Sequence, residues 1–176
     1  MISTVRPDSD RIKATSYHEF TRAIQYRQSG HSFYRDLVIA EINAGGHGDE
    51  DSDDADLISI VESWAHHLGF TYADRTYEGI RVSGRIFSWL GLLERDINEE
   101  PNHIPEGLYH DLVDNTNDGD PDEITDNVSG FTNQQLFSCM TSDVRSIEAF
   151  RTCLINNHLA GSGNSLTQLD ELFDSY

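Results

Sequence analysis

Leu57, Ile58, Val61, Trp64, Ala65 and Leu68 recur at three- and four-residue intervals, the spacing that gathers apolar side chains on one helix face. This is the clearest amphipathic element of the chain, and Gly69 is its predicted stop. Upstream, Ser16-Tyr17-His18-Glu19 has the form of a capping box and predicts a helix running to about Gly30. Phe33, Leu37, Val38 and Ile42 predict a second helix, closed by Gly45-Gly46. In the last third, Thr132-Asn133-Gln134-Gln135 is another capping box, with Phe131 and Leu136 spaced as its hydrophobic staple. Val144, Ile147, Phe150 and Leu154 follow at helical spacing. Gly161-Ser162-Gly163 reads as a linker, and Ser165 to Gln168 opens a last short helix with Leu169, Leu172 and Phe173. Strand patterning is confined to Gly79–Ser83 and a short pair around Leu92–Ile104. No internal repeat is visible. The predicted fold is mainly α, with at most a small β-hairpin.

Length and composition refine this picture. The 176 residues suit a helical domain over residues 1–126 with acidic loops, and a C-terminal helical segment over 127–176 packed on it. Only 37% of residues are hydrophobic, so a modest core is expected. Acidic residues number 31 against 12 basic ones, a formal net charge of -19, and Lys13 is the one lysine. The acidity is uneven. Residues 1–46 hold six basic and five acidic groups, and residues 64–93 hold three and two. Residues 47–63 carry -7 and residues 94–126 carry -11.

Near-absence of lysine with an excess of Asp over Glu resembles proteins adapted to molar intracellular salt, as in haloarchaea and their viruses. There the Debye length shrinks to about 3 Å and carboxylate repulsion nearly vanishes. A DNA mimic is the rival account of the acidity. Lysine avoidance favours salt adaptation, because a mimic has no need of it.

The candidate chemistry is sparse. Cys139 and Cys153 have no metal or redox spacing and are expected to stay reduced in the core. His66 and His67 follow Glu62, yet no zinc-protease pattern, phosphate loop or nucleophile elbow is present. No enzyme, cofactor or metal is expected. Asp114, Asp118, Gly119 and Asp122 sit at calcium-loop spacing, but Thr116 and Thr125 stand where further ligands belong. An acidic solvated turn is the expected outcome. The first ten residues are polar, and the longest apolar run, around Ile86–Leu93, is far short of a membrane span. A cytoplasmic location is expected, or a virion if the chain is a viral component.

The stretch from Ile60 to Val113 resembles a winged helix-turn-helix domain of archaeal type, the likeness extending over about residues 31–114. It rests on Trp64–Gly69 as a helix ending in Leu-Gly, on Arg75-Thr76, on the phrase Leu90–Arg95, and on Pro105-Glu106-Gly107. The resemblance implies a winged-helix-like core and a recognition helix beginning near Arg75. Arg75, Thr76, Arg81 and Arg85 would then contact DNA, with Arg81 and Arg85 one turn apart on a shared helical face. Arginine at such sites bonds a guanine edge bidentately or clamps phosphate.

Asp53, Asp54, Leu57, Ile58, Ala65, Thr71, Arg75 and Tyr77 also resemble the helical head-tail connectors of tailed viruses. That resemblance implies a ring-forming structural role. The leading expectation is a non-enzymatic, DNA-associated regulator that forms a homo-oligomer, away from membranes. The alternatives are a connector or adaptor acting through protein contacts, and an acidic DNA mimic that blocks a defence enzyme.

Overall fold

The computed structural model describes residues 8–46, 55–77, 80–82, 85–93, 105, 107–115 and 127–176. Helix α1 (Asp8–Ala44) is continuous except at Gly30, whose φ of 84° and ψ of 173° lie far outside the helical range. That break folds the helix back on itself. Tyr34 Oη donates to the Arg22 carbonyl at 2.6 Å, and Arg22 reaches Glu41. In a straight helix those partners would lie roughly 18 and 28 Å apart along the axis. The element is an αα-hairpin with Gly30 at its tip, and the predicted helix end at Gly30 is where the turn occurs. A left-handed φ is open to glycine at little steric cost.

The predicted start at Ser16 is corrected. Helix α1 already runs from Asp8, and Ser16 Oγ donates back to the Ile12 carbonyl at 2.7 Å inside it. A short hydroxyl can bond locally within a helix as readily as it caps one.

Helix α2 (Ala55–Thr76) is the centre of the fold. Leu57, Ile58, Ile60, Val61 and Trp64 are all buried, each such side chain contributing about 1.5–3 kcal/mol. The predicted stop at Gly69 is also corrected, because α2 continues two turns beyond it. A side chain at Gly69 would meet the Ala14 carbonyl at 3.2 Å and His18 Cβ at 3.3 Å. The glycine marks the close crossing of α1 and α2, not a helix end.

After α2 come strands β1 (Ile80–Val82) and β2 (Arg85–Phe87), an antiparallel pair in which Arg81 faces Ile86 and Val82 faces Arg85. Short helices α3 (Leu90–Leu93) and α4 (Leu108–Asp111) follow. The predicted strand pair around Leu92–Ile104 begins inside α3, and its remainder lies outside the described residues. Of Pro105-Glu106-Gly107, Gly107 is the residue before α4, and Glu106 lies outside the described residues.

The Thr132 capping box forms as read, and the helix expected to start at Ser165 is capped in the same way. Thr132 caps α5 (Asn133–Ser138) and Ser165 caps α8 (Leu166–Asp174), each with the reciprocal glutamine bond from Gln135 and Gln168. Ser146 caps α6 (Ile147–Asn157), so Val144 lies just before that helix. The Gly161–Gly163 linker overlaps a single helical turn, α7 (Leu159–Ser162), closed by a left-handed Gly163. Phe131, Leu136, Phe150, Leu154, Leu169 and Leu172 share one buried cluster with Leu37, Ile58 and Trp64. The core therefore draws on both sides of residue 126. Among the described residues the architecture is mainly helical, with one antiparallel pair of short strands.

Cys139 and Cys153 overturn the expectation of free thiols. They form a disulfide that joins the end of α5 to α6, with Cα atoms 5.8 Å apart. The expected burial of Cys139 is right, and helical packing brings the two within bonding distance across a separation of 14 residues.

Candidate nucleic-acid interface

The last turn of α2 carries Arg75 and Thr76, both exposed. Thr76 Oγ1 donates to the Tyr72 carbonyl at 2.8 Å and lies 3.5 Å from Tyr17 Oη of α1. The Arg75 guanidinium sits over the Tyr72 ring, 5.8 Å from its centroid, and the Tyr17 and Tyr72 rings are 5.7 Å apart. From α1, Lys13 Nζ lies 4.0 Å above the Tyr77 ring. A small second core fixes this end of the molecule. Ala14, Ala73 and Trp89 are buried together with Tyr17, Phe70 and Tyr77 against them, and the Phe70 and Trp89 rings are 5.5 Å apart. Trp89 follows β2 by two residues, so its burial ties the hairpin to the end of α2.

Arg75, Thr76 and Lys13 thus belong to one pole of the fold, and the strands bearing Arg81 and Arg85 run in the chain between the end of α2 and Trp89, which is buried at that pole. The recognition helix implied by the winged-helix resemblance is not there. Arg81 and Arg85 occupy neighbouring rungs of a two-stranded ribbon instead of successive turns of a helix. Glycines at 79 and 84 flank these strands, and β-branched Ile80, Val82 and Ile86 favour the extended form, so helix propensity loses here. Ala65, Leu57 and Ile58, read from the connector resemblance, are buried in α2, whereas Thr71, Arg75 and Tyr77 lie toward the pole.

Two buried polar centres were not foreseen. Glu62 of α2 is fully buried and pairs with Arg22 Nη1 at 2.5 Å and His18 Nε2 at 3.2 Å. Arg22 also reaches Glu41 of the returning arm, at 2.5 Å, so one guanidinium binds both arms of α1 to α2. Burial works against the charge on Arg22, yet Glu62 and Glu41 outweigh it and hold the pKa above the ordinary arginine value. Burial also raises the Tyr34 hydroxyl beside this pair, with Arg22 opposing that rise. The sequence signal was available in principle. Glu62 lies within the apolar repeat of α2, between Val61 and Trp64, where a charge requires a partner.

The second centre lies farther along α2. His67 Nε2 is 2.8 Å from Asn133 Oδ1 at the start of α5, and the His67 ring is 6.1 Å from that of His110. Burial holds His67 down at about 4, although the bond to Asn133 favours its charged form. His110 Nε2 faces Asp114 at 3.5 Å. Asp114 is the described end of the calcium-like run. Asp118, Gly119 and Asp122 lie outside the described residues. Among the described residues no group of three or more His, Cys, Asp and Glu side chains is placed to hold a metal ion. Ser138 Oγ approaches His158 Nε2 at 2.8 Å, but it also donates to the Gln135 carbonyl at 2.7 Å, which makes the hydroxyl a helix-end partner.

No protein-family model, curated protein or solved structure matches the chain. Among the described residues, no helix is long and apolar enough to cross a membrane.

Proposed function

We propose that the pole formed by the end of α2 and the β1–β2 hairpin associates with DNA, and that the protein acts as a non-enzymatic DNA-associated regulator. The observation that carries this reading is the exposed end of α2 with Arg75 and Thr76, beside Lys13 and three tyrosines, and followed in the chain by the β1–β2 pair that bears Arg81 and Arg85 and leads to the buried Trp89. These residues belong to two segments, 1–46 and 64–93, that each sum to +1 in a chain of net charge -19, so approaching phosphate meets less repulsion there than at the acidic blocks. In this reading the hairpin serves as a wing that tracks phosphate, and Arg75 on the end of α2 reaches the adjacent groove or backbone. The exposed Tyr72 ring offers a surface on which an unstacked base can lie. In molar salt, counterion release contributes little, which leaves base contacts and stacking to supply affinity.

Binding to a genomic fragment pool in molar KCl, read by fluorescence anisotropy, tests this. Arg75→Ala and Arg85→Ala are expected to weaken binding, a bidentate base contact being worth about 1–3 kcal/mol. Arg151→Ala, on α6 and paired with Glu148, is expected to leave it unchanged. Wild-type protein without measurable DNA affinity would exclude this role. A second reading, an adaptor acting through protein contacts, draws support from the apolar side chains exposed along α1.

A further inference from the structure

Nine large hydrophobic side chains are exposed among the described residues, and seven of them lie on α1. Each arm turns one face inward, Ala14, His18, Thr21, Gln25 and Ser29 from the first and Phe33, Leu37 and Ala40 from the second. Helical rotation of about 100° per residue then sends Phe20 and Ile24, and Val38, Ile39 and Ile42, to the sides away from that core. Phe20 is 66% exposed and Ile42 is 72% exposed, values usual for a lysine but not for residues of this kind. An apolar surface this extended on a water-soluble helix marks a contact face.

We infer that the outward face of the α1 hairpin is covered by the same face of a second copy of this chain, the two hairpins packing as a four-helix layer. Three observations choose this occupant. The first is charge. Residues 1–46 sum to +1, which leaves -20 for the rest of the chain, so α1 is the long helix through which two copies approach with the acidic blocks held apart. The second is the sign of the exposed charges on the hairpin, where Glu19 stands beside Arg27 and Arg35. A two-fold contact sets a patch against itself, and a patch that carries both signs can match itself where a single-sign patch repels. The third is area. The exposed parts of Ile12, Phe20, Val38, Ile39 and Ile42, the five most exposed of the seven, amount to roughly 600 Å² per copy, the larger part of the ~800 Å² per partner of a stable interface. DNA is a poor occupant, since aliphatic side chains offer phosphate no bond.

This inference stands apart from the DNA reading, because it concerns a different face and its test contains no nucleic acid. Sedimentation equilibrium in molar KCl, over a micromolar to high-micromolar range, is expected to give twice the monomer mass. Phe20→Ser combined with Ile42→Ser is expected to abolish the dimer over this range, its Kd rising roughly 10,000-fold, because the two copies lose four side chains between them at about tenfold each. Leu166→Ser, an exposed apolar residue on α8, is the control expected to leave the Kd unchanged. Circular dichroism confirms folding, and Ile42→Ser alone replaces the double variant if the latter loses its helicity. A wild-type monomer across the range, an assembly larger than two, or a dimer insensitive to the α1 substitutions overturns the inference.

Discussion

Replacing Arg22 with methionine removes a charge that touches two carboxylates at once, Glu62 in the core and Glu41 on the returning arm. Glu62 has no solvent exposure, so after the substitution its carboxylate keeps His18 as a partner but loses the guanidinium. Breaking a buried pair from one side costs about 3–5 kcal/mol, because the remaining charge is left desolvated. The Glu41 half is more exposed and adds at most about 1 kcal/mol. A loss of about 3–5 kcal/mol is therefore expected, equivalent to a fall in Tm of roughly 6–20 °C for a chain of this size. Combining Arg22→Met with Glu62→Leu removes both charges together, and buried pairs replaced by apolar groups are often close to neutral. The double variant is expected within about 1 kcal/mol of wild type. Urea denaturation followed by circular dichroism in molar KCl measures wild type, Arg22→Met, Glu62→Leu and the double variant, urea being chosen because it leaves the ionic strength constant. A single variant costing under about 1 kcal/mol, or a double variant as unstable as the summed single variants, would refute the claim that Arg22 and Glu62 are coupled in the core.

Acid sensitivity should trace to His67, which stays neutral in the folded protein down to about pH 4 while the unfolded chain takes up a proton near the ordinary value of 6.5. Its stabilising contribution is whole above about pH 6.5 and is lost as pH falls toward 4, for a total of about 3 kcal/mol. His67→Phe should flatten that part of the stability–pH curve, and a curve identical to wild type would count against it. For the disulfide, Cys139→Ser with Cys153→Ser should cost about 3 kcal/mol, the entropy of closing a loop of this length. Equal melting with and without a dithiol reductant would show that the bond contributes nothing.

The elements whose signals are local were readable in advance. The Thr132 box needs only four consecutive residues and forms with its predicted partner, and the helix start expected at Ser165 is where α8 begins. The Gly30 break and the periodic core of α2 were equally plain. Elements decided by distant partners were not. Gly69 looks like a stop until Ala14 and His18 are known to lie against it. Arg81 and Arg85 suit a helix by spacing, and they enter a ribbon because the extended preference of their neighbours prevails and Trp89 anchors the strand that follows. The pairing of Cys139 with Cys153 depends on how α5 and α6 pack, which no spacing rule encodes. Of the candidate site, Arg75 and Thr76 lie at an exposed helix end, and Arg81 and Arg85 lie on paired strands where the resemblance implied a helix.

The turn at Gly30 also has a consequence for the order in which the chain is made. The two arms of α1 touch over separations of 12 to 19 residues, so they can close as soon as the first quarter of the chain is available. The tip of that hairpin is completed much later. Ser29 Oγ donates to the Met140 carbonyl and Gln28 Nε2 to the Phe137 carbonyl, across 111 and 109 residues. During synthesis at about 5–20 residues per second, the tip waits several seconds or more for those partners to be made. The arms hold the early structure, and the disulfide-bearing segment finishes it.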